Sequence, residues 1–202
     1  MEVFRLAPLP AELQWRLRPG EWARGEADGS LSILAPQKTD LFTDPGTGTR
    51  TDSAPAALFV PPDESFLLSA RVEVTFGSTF DAGVLHAWVN EELWAKLCFE
   101  FSPQREPTIV SVVNRGVSDD CNSVPVAGTS AFLRVAHLGL ATAFHWSSDG
   151  ERWGFVRYFS LGRTGGLRVG FSSQSPTGPG CRSRFSQIHY RAGTLRDLRN
   201  GE

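Results

Sequence analysis

Residues Leu93–Phe101, which read LWAKLCFEF, alternate between two kinds of side chain over nine positions. Successive side chains of a β-strand point to opposite faces of its sheet, so a period of two predicts a strand with two different faces. Every odd position of the stretch is apolar, which favours burial of that face between two sheets. The other face is predicted to carry four different side chains: Trp94, Lys96, Cys98 and Glu100.

The same period recurs along most of the chain, whereas helical periodicity is nearly absent. Turn-forming strings such as Ser148-Asp149-Gly150 separate the alternating segments. The predicted strands are 31–35, 66–76, 81–89, 93–101, 108–114, 131–138, 140–147, 153–159, 167–174 and 184–190. Short strands joined by such turns favour antiparallel pairing in two packed sheets, which is typical of an all-β sandwich with a jelly-roll build.

The length and composition are typical of one domain. Sandwiches of about 200 residues keep a single core, and 14 Phe and 6 Trp supply bulky apolar surface for it. We therefore predict one domain over residues 1–202, with its core at about 28–190 and a polar tail at 195–202. The dense Pro, Thr, Asp and Gly of Pro36–Pro62 predict a surface excursion that could shape a site or be purely structural.

Charge and hydropathy limit the classes of partner. The formal net charge is −2 and the basic residues are scattered, which argues against a nucleic-acid partner. No apolar run approaches the length that crosses a bilayer, and the N-terminal residues lack the order of a signal peptide, so we expect no membrane partner and a cytoplasmic location. Three cysteines without metal-binding spacing, Cys98, Cys121 and Cys181, are expected to be reduced thiols.

Five short strings occur in a fixed order and carry a resemblance to a known family. They are Phe80-Asp81-Ala82-Gly83, the residues 94–100, the run 110–116 leading into Ser118-Asp119, His145-Trp146-Ser147-Ser148-Asp149-Gly150 followed by Trp153, and Gln174-Ser175-Pro176-Thr177-Gly178.

In order and spacing, these strings resemble a bacterial and fungal family of uncharacterised domains, the domain of unknown function 1349 type, over about Asp28 to Tyr190. The family includes a fungal protein reported as a regulator of enolase, and it is placed in the concanavalin A-like lectin and glucanase superfamily. The resemblance implies the jelly-roll fold but no agreed activity. Many members have a Trp after the Ser-Asp pair, where this chain has Asp120.

The alternation also predicts a shared polar surface. If the strands concerned belong to one sheet, the water-facing side would carry Lys96, Glu100, His145, Ser172 and Gln174, with Asp81, Asn114, Asp119 and Asn122 on the rim. Such a face can hold a sugar, because apolar ring faces stack on aromatic side chains while hydroxyls meet fixed donors and acceptors. Trp94 and Trp88 are the stacking candidates. Lys96 and Glu100 could equally form a solvated ion pair, and His145 a satisfied, partly buried residue.

No catalytic motif is recognisable. Retaining glucanases place two carboxylates on neighbouring positions of one strand, and no such run occurs here, so only Glu100 with Asp81 or Asp119 offers a carboxylate pair. No cofactor is predicted. Oxygen-rich loops could hold calcium among Asp40, Asp44 and Asp52 or near Asp119, but the spacing of a known site is missing. Trp146 and Trp153 are predicted to pack inward.

The sequence leaves three functions open. The first is a non-catalytic binding module for a carbohydrate or a related small polar metabolite, and this interpretation favours a protein that is not an enzyme. The second is a protein-interaction or regulatory role in central metabolism, with a metabolic enzyme as partner, as the fungal relative implies. The third is a glycan-processing enzyme with an atypical carboxylate pair.

Overall fold

A computed structural model describes residues 2–162 and 165–202 of the chain. The described residues form strands, turns and bends. The strands are β1 (Val3–Phe4), β2 (Leu13–Leu17), β3 (Glu21–Arg24), β4 (Leu31–Pro36), β5 (Leu41–Thr43), β6 (Arg50–Asp52), β7 (Ala56–Phe59), β8 (Ser65–Thr75), β9 (Ala82–Asn90), β10 (Leu93–Phe101), β11 (Pro107–Arg115), β12 (Val117–Pro125), β13 (Ser130–Leu138), β14 (Thr142–Ser147), β15 (Gly154–Phe159), β16 (Arg168–Gln174) and β17 (Gly180–Ala192). Within that part of the chain, no helix is long and apolar enough to cross a membrane.

Two large antiparallel sheets pack face to face, so the predicted all-β sandwich is confirmed. Sheet A has the order β1-β2-β7-β16-β9-β10-β11-β12, and sheet B has the order β15-β14-β13-β8-β17-β4-β3. The strands β5 and β6 form a separate two-stranded ribbon. The chain passes from one sheet to the other several times, for example from β7 to β8 and from β8 to β9. This arrangement is consistent with a jelly roll.

The main core lies between the sheets. Ala95, Leu97 and Phe99 of β10 are buried there, which confirms the inward face predicted from their alternation. Val169 and Phe171 of β16 lie in the same core, as predicted, and Trp146 packs against it. The apolar half of each alternating strand therefore forms the core, and the other half is left for the two outer faces.

The N-terminal strands extend the fold beyond the predicted core. β1 and β2 add to one edge of sheet A, while β3 adds to an edge of sheet B. Phe4, Trp15 and Trp22 meet between these edges, with ring centroids 4.5–5.4 Å apart. The sequence around Leu13–Leu17 alternates like the other strands, so the pattern of this element was visible but the strand was not predicted.

The two outer faces are each crossed by a segment of the chain. Residues 40–54, which contain β5 and β6 and belong to the predicted excursion, lie over the outer face of sheet A, where Leu41 and Ala54 pack against Trp88 and Trp94. We call these residues the ribbon cover. Residues 195–201 lie over the outer face of sheet B, where Leu195 and Leu198 pack against apolar residues of that sheet. We call these residues the C-terminal cover, and the predicted polar tail is therefore partly apolar and docked.

Candidate functional site

The candidate site lies on the outer face of sheet A and is centred on β10. In the antiparallel register, Lys96 stands between His86 of β9 and Val112 of β11. Glu100 stands between Ala82 and Thr108 in the same way. Directly paired residues of antiparallel strands point to the same side, so all of these side chains share one face.

The ribbon cover closes most of this face. Trp94 is 0% exposed and packs with Trp88, Leu41, Ala54 and other apolar residues beneath the cover. A sugar cannot stack on an indole that the chain itself already covers. The prediction that Trp94 and Trp88 form a stacking surface is therefore wrong, because alternation identifies the outer face but does not show that residues 40–54 bury part of it.

Lys96 is only 2% exposed, yet it is charged and fully engaged. Its ammonium nitrogen lies 3.1 Å from the Oδ1 atom of Asp40 and 2.9 Å from the Oε1 atom of Gln174. Burial alone would lower the pKa of this ammonium, but the negative groups around it, led by Asp40, raise the pKa above its ordinary value. The lysine therefore has a counter-ion supplied by the ribbon cover and an amide partner supplied by β16.

Glu100 lies one step further along the same face and is 8% exposed. Burial raises the pKa of its carboxyl group to about 8, Lys96 opposes this change, and Asp40 and Asp120 add to it. No residue of the described chain donates a hydrogen bond to this carboxyl group. At neutral pH Glu100 is therefore mostly a protonated acid that can donate one hydrogen bond and accept others.

Two further titratable groups of the face, His86 and Cys98, are held neutral. Burial lowers the pKa of His86 far below its ordinary value, and the positive charges of Lys96 and Arg16 act in the same direction. Burial also raises the pKa of the Cys98 thiol, which makes this cysteine an inert part of the packing. Next to Glu100 the face thus combines the compensated Lys96–Asp40 ion pair with neutral side chains.

Phe80 lies beside Glu100 and is 37% exposed. Its amide donates to the carbonyl of Phe101 at 2.7 Å, and its carbonyl accepts a hydrogen bond from the Nε2 atom of Gln174 at 3.3 Å. Its φ angle of 71° lies in the left-handed region, which is costly for an aromatic residue. Strained residues of this kind cluster at functional sites. We call Glu100, Phe80 and Asn122 together the Glu100 end of the face.

Two predicted rim residues have structural roles. Asp81 is buried, and its carboxylate accepts hydrogen bonds from the amides of Gly77 and Ser78 at 2.9 and 2.8 Å and from the Ser175 hydroxyl at 2.7 Å. Asn114 donates to the Glu92 carbonyl at 2.8 Å. These side chains have their hydrogen-bonding capacity taken up by the protein, so they hold turns in place.

Asn114 also anchors the ribbon cover. Its Oδ1 atom accepts a hydrogen bond from the Ser118 hydroxyl at 3.0 Å, and that hydroxyl accepts one from the amide of Thr43 in β5 at 2.9 Å. The chain of hydrogen bonds fixes β5 against sheet A. Ser172 lies on the same face, paired with Val84 of β9 and with Ala56 of β7, and is buried.

Asp119 and Asn122 separate on the edge strand β12. Asn122 pairs with Val110 and is exposed on the outer face of sheet A. Asp119 forms an ion pair with Arg157 of sheet B at 3.0 Å. This link crosses the side of the sandwich, so Asp119 is not a member of the site. Neither Asp81 nor Asp119 is free to pair with Glu100 as a catalytic carboxylate, whereas Asp120 is exposed and faces the same side.

The prediction that His145 shares this face is wrong. His145 belongs to β14 of sheet B, where it pairs with Arg134 and points to the opposite side of the molecule. Its Nε2 atom lies 2.9 Å from the Leu198 carbonyl of the C-terminal cover. Burial lowers the pKa of its imidazole to about 4. The alternation of residues 140–147 correctly indicated an outward side chain but could not indicate which sheet the strand joins.

The candidate calcium ligands are engaged separately. Asp40 pairs with Lys96, Asp52 pairs with Arg16 at 2.6 Å, and Asp44 caps its own turn by accepting from the amides of Gly46 and Thr47. In residues 2–162 and 165–202, no three His, Cys, Asp or Glu side chains are grouped so that they could hold a metal ion.

Sequence reasoning missed four members of the site. Asp40 could not be found from local pattern, because its partner Lys96 is 56 residues away. His86 could have been found, since alternation places it on the same side of its strand as Trp88. Asp120 belongs to a strand without apolar alternation, and Phe80 lies in a turn string outside the alternating segments. Three residues were predicted for the site and lie together on this face in the structure: Lys96, Glu100 and Gln174.

Comparisons with known proteins agree with this fold. A family model described as "Protein of unknown function (DUF1349)" matches residues 15–192. A functionally unknown protein from Saccharomyces cerevisiae is 23% identical, with a TM-score of 0.78 over 90% of this chain and 96% of that one. Curated proteins gave no match to the sequence. The relation to a fungal enolase regulator stays a prediction.

Two carbohydrate-active proteins have the same fold. The GH43 protein BlXynB of Bacillus licheniformis, in its K247S mutant, is 17% identical, with a TM-score of 0.72 over 90% of this chain and 37% of that one. The alginate lyase from Klebsiella pneumoniae is 14% identical, with a TM-score of 0.52 over 87% of this chain and 86% of that one. At these identities the similarity concerns the fold alone.

Proposed function

Since the chain belongs to the DUF1349 family, whose function is unknown, we propose that it is a non-catalytic binding module for a neutral carbohydrate or a related small polar molecule. The site is the Glu100 end of the outer face of sheet A. One observation carries the proposal: Glu100 is nearly buried, has a pKa raised to about 8, and receives no hydrogen bond from any described residue. Strongly perturbed groups of this kind mark functional sites.

The charge balance of the face favours a neutral ligand. The ammonium of Lys96 is compensated by Asp40, and Glu100 is protonated at neutral pH. An anion would meet the exposed carboxylate of Asp120, and Lys96, the nearest described cation of the face, is already paired with Asp40. A polyhydroxylated molecule needs both donors and acceptors, and the Glu100 acid and the Asn122 amide supply both kinds.

Phe80 supplies the aromatic part of the proposed site in place of the buried Trp94. Its ring is partly exposed next to a network that runs from the Phe80 carbonyl through Gln174 to Lys96. Sugar rings present apolar C–H faces that pack on aromatic side chains while their hydroxyls are hydrogen-bonded.

The test is a glycan array followed by thermal-shift measurements with the hits. A ligand that binds only the native state raises its melting temperature. We expect a neutral oligosaccharide to raise it, and we expect Glu100→Ala and Phe80→Ala to abolish the shift. The matched controls are Glu106→Ala and Tyr158→Ala, which remove exposed side chains of the same types outside the site. A hit whose shift survives both site substitutions contradicts the proposal, as does an array without hits.

One observation favours a second candidate, a glycan-processing enzyme. A carboxylic acid with a raised pKa and a second carboxylate on the same face are the two groups that glycoside hydrolysis uses, and the negative charge of Asp120 helps to raise the pKa of Glu100. This candidate requires release of new reducing ends from a bound glycan. It also requires loss of that release in both Glu100→Gln and Asp120→Asn, whereas the binding module releases none.

A further inference from the structure

The outer face of sheet B contains a second cleft, of about 420 Å³, which takes no part in the site on sheet A. Its lining includes six side chains that can bind or position a ligand: Ser69, Arg134, Glu151, Trp153, His189 and Arg191. A cleft of this size falls within the range of small-molecule sites. Trp153, which was predicted to pack inward, lines this cleft instead.

The strand register builds the floor of the cleft. Arg134 of β13 pairs with Ser69 of β8, and Ser69 pairs in turn with His189 of β17. In the next row, Leu67 of β8 pairs with Arg191 of β17. The two arginines therefore stand on one face in adjacent rows, two strands apart, with a serine and a histidine between them.

Arg134 is a buried cation without a carboxylate partner among the described residues. It is 6% exposed, and its guanidinium carbon lies 4.0 Å from the centroid of the Trp153 ring. Its Nη2 atom donates to the Gly201 carbonyl at 2.7 Å, and its Nε atom has no partner in the described chain. Burial, aided by the positive charge of Arg191, lowers the pKa of Arg134 to about 10. A buried charge without a counter-ion is costly, and a bound anion would offset that cost.

The backbone beside the cleft is distorted. The register of β17 against β8 shifts between Ser186 and His189, which identifies a β-bulge. Gln187 within the bulge has a φ angle of 47°, in the left-handed region. Bulges re-aim side chains next to ligand sites, and strain of this kind concentrates at such sites. This observation is independent of the charges.

We propose that this cleft is a second ligand site, which takes a small molecule carrying one carboxylate together with hydroxyl groups, such as a sugar acid. The carboxylate lies between Arg134 and Arg191, because guanidinium groups match carboxylates in shape and charge. Glu151 lines the same cleft, and its carboxylate accepts hydrogen bonds from hydroxyls but repels a ligand with several negative charges. Asp149 adds to this repulsion, while its Oδ1 atom is already bonded to the Ser147 hydroxyl and to the amides of its own turn.

The experiment is isothermal titration calorimetry of the full chain with sodium D-glucuronate, and with D-glucose and inorganic phosphate as comparison ligands. Glucuronate is expected to bind, and the two comparison ligands at least about tenfold more weakly, since glucose lacks the carboxylate and phosphate lacks the hydroxylated ring. Arg191→Gln is expected to weaken glucuronate binding about tenfold, as charge-assisted hydrogen bonds are lost. Arg191 is exposed and makes no ion pair in the described chain, so this variant folds.

Two controls separate this site from the one on sheet A. Arg24→Gln removes an exposed arginine on the distant strand β3 and is expected to leave glucuronate binding unchanged. Glu100→Ala is expected to leave it unchanged as well, whether or not the proposed sugar site exists. Absence of binding up to about 20 mM glucuronate overturns the proposal. Native-like affinity in Arg191→Gln, or phosphate binding as tight as glucuronate binding, also overturns it.

Discussion

The outer faces of the two sheets follow the same plan but differ in charge balance. In the described part of the chain, each face buries a cation together with a histidine of lowered pKa, namely Lys96 with His86 on sheet A and Arg134 with His145 on sheet B. Each face is also crossed by a segment of the chain. The ribbon cover brings the carboxylate of Asp40 to Lys96, whereas the C-terminal cover brings only the carbonyl of Gly201 to Arg134.

This difference explains why the two faces are assigned different ligands. Where the chain supplies the counter-ion, the face is electrically satisfied, and its unengaged group is a neutral acid, Glu100. Where the chain supplies only a carbonyl, a positive charge remains without a negative partner among the described residues. A buried charge and a neutral hydrogen-bonding group select different ligands because of the cost of leaving each unpaired.

The largest expected effect comes from breaking the balance on sheet A. Lys96→Met keeps most of the side-chain volume but removes the charge, so Asp40 and Gln174 lose their shared partner. Removing one member of a buried ion pair leaves the other uncompensated, and we expect a loss of about 3–4 kcal/mol in the free energy of unfolding. Urea denaturation measures it. Lys38→Met, at an exposed lysine, is the control, and a loss in Lys96→Met no larger than in the control would refute the role of the ion pair.

A smaller effect is expected at Glu100, and it depends on pH. The folded chain keeps the proton of this carboxyl group up to about pH 8, whereas the unfolded chain releases it near the ordinary pKa of 4.5. The folded state therefore binds more protons between these values, so the stability of the native chain falls as pH rises through them. Glu100→Gln cannot titrate, and we expect it to be more stable than the native chain by about 2–3 kcal/mol at about pH 6.5.

Below about pH 4 the native chain and Glu100→Gln are expected to be equally stable, since Glu100 is then mostly protonated in both states of the native chain. Denaturation curves at several pH values measure the difference. Two parallel stability profiles would show that the environment of Glu100 does not raise its pKa.

The next effect concerns the C-terminal cover on sheet B. Leu198 packs against the apolar residues of this face and provides the carbonyl that binds His145. Leu198→Ala removes part of this packing, and we expect a loss of about 1 kcal/mol, because the side chain is only partly buried. Leu140→Ala, at a leucine that is 55% exposed, should have almost no effect. Hydrogen exchange would show faster opening of residues 195–201 in Leu198→Ala, and equal exchange in the two variants would argue against docking.

The smallest effect is expected at Phe80, and its sign is opposite. Phe80→Gly removes a bulky residue from a left-handed conformation, and glycine adopts that conformation without strain. We expect a gain in stability of up to about 0.5–1 kcal/mol, together with loss of glycan binding. A clear loss of stability would show that the Phe80 ring is held for packing rather than for a ligand.

Much of the fold could be predicted because it depends on local alternation. The ten predicted strands all correspond to strands of the structure, and the inward and outward faces of β10 and β16 are as expected. The edge strand β12 was missed because most of its residues are exposed and polar. Alternation is visible in a sequence only where one face of the strand is buried and therefore apolar.

The site was predicted only in part, because its assembly depends on contacts between distant segments. Period two places Lys96 and Glu100 on one face, and β16, which pairs with β9 in the same sheet, brings Gln174 to them. The same period cannot show that β14 joins the other sheet, so His145 was misplaced. Nor can it show that residues 40–54 fold back over Trp94 and deliver Asp40 to Lys96.

The central claim is that the protonated Glu100 binds a neutral glycan on sheet A, and its most direct test is the affinity of the best array hit at about pH 6 and about pH 9. The native chain is expected to bind at least about tenfold more weakly at the higher pH, because the acid loses its donor proton. Glu100→Gln is expected to show the same affinity at both. An equal affinity of the native chain at both pH values, or an equal fall in Glu100→Gln, would contradict the claim.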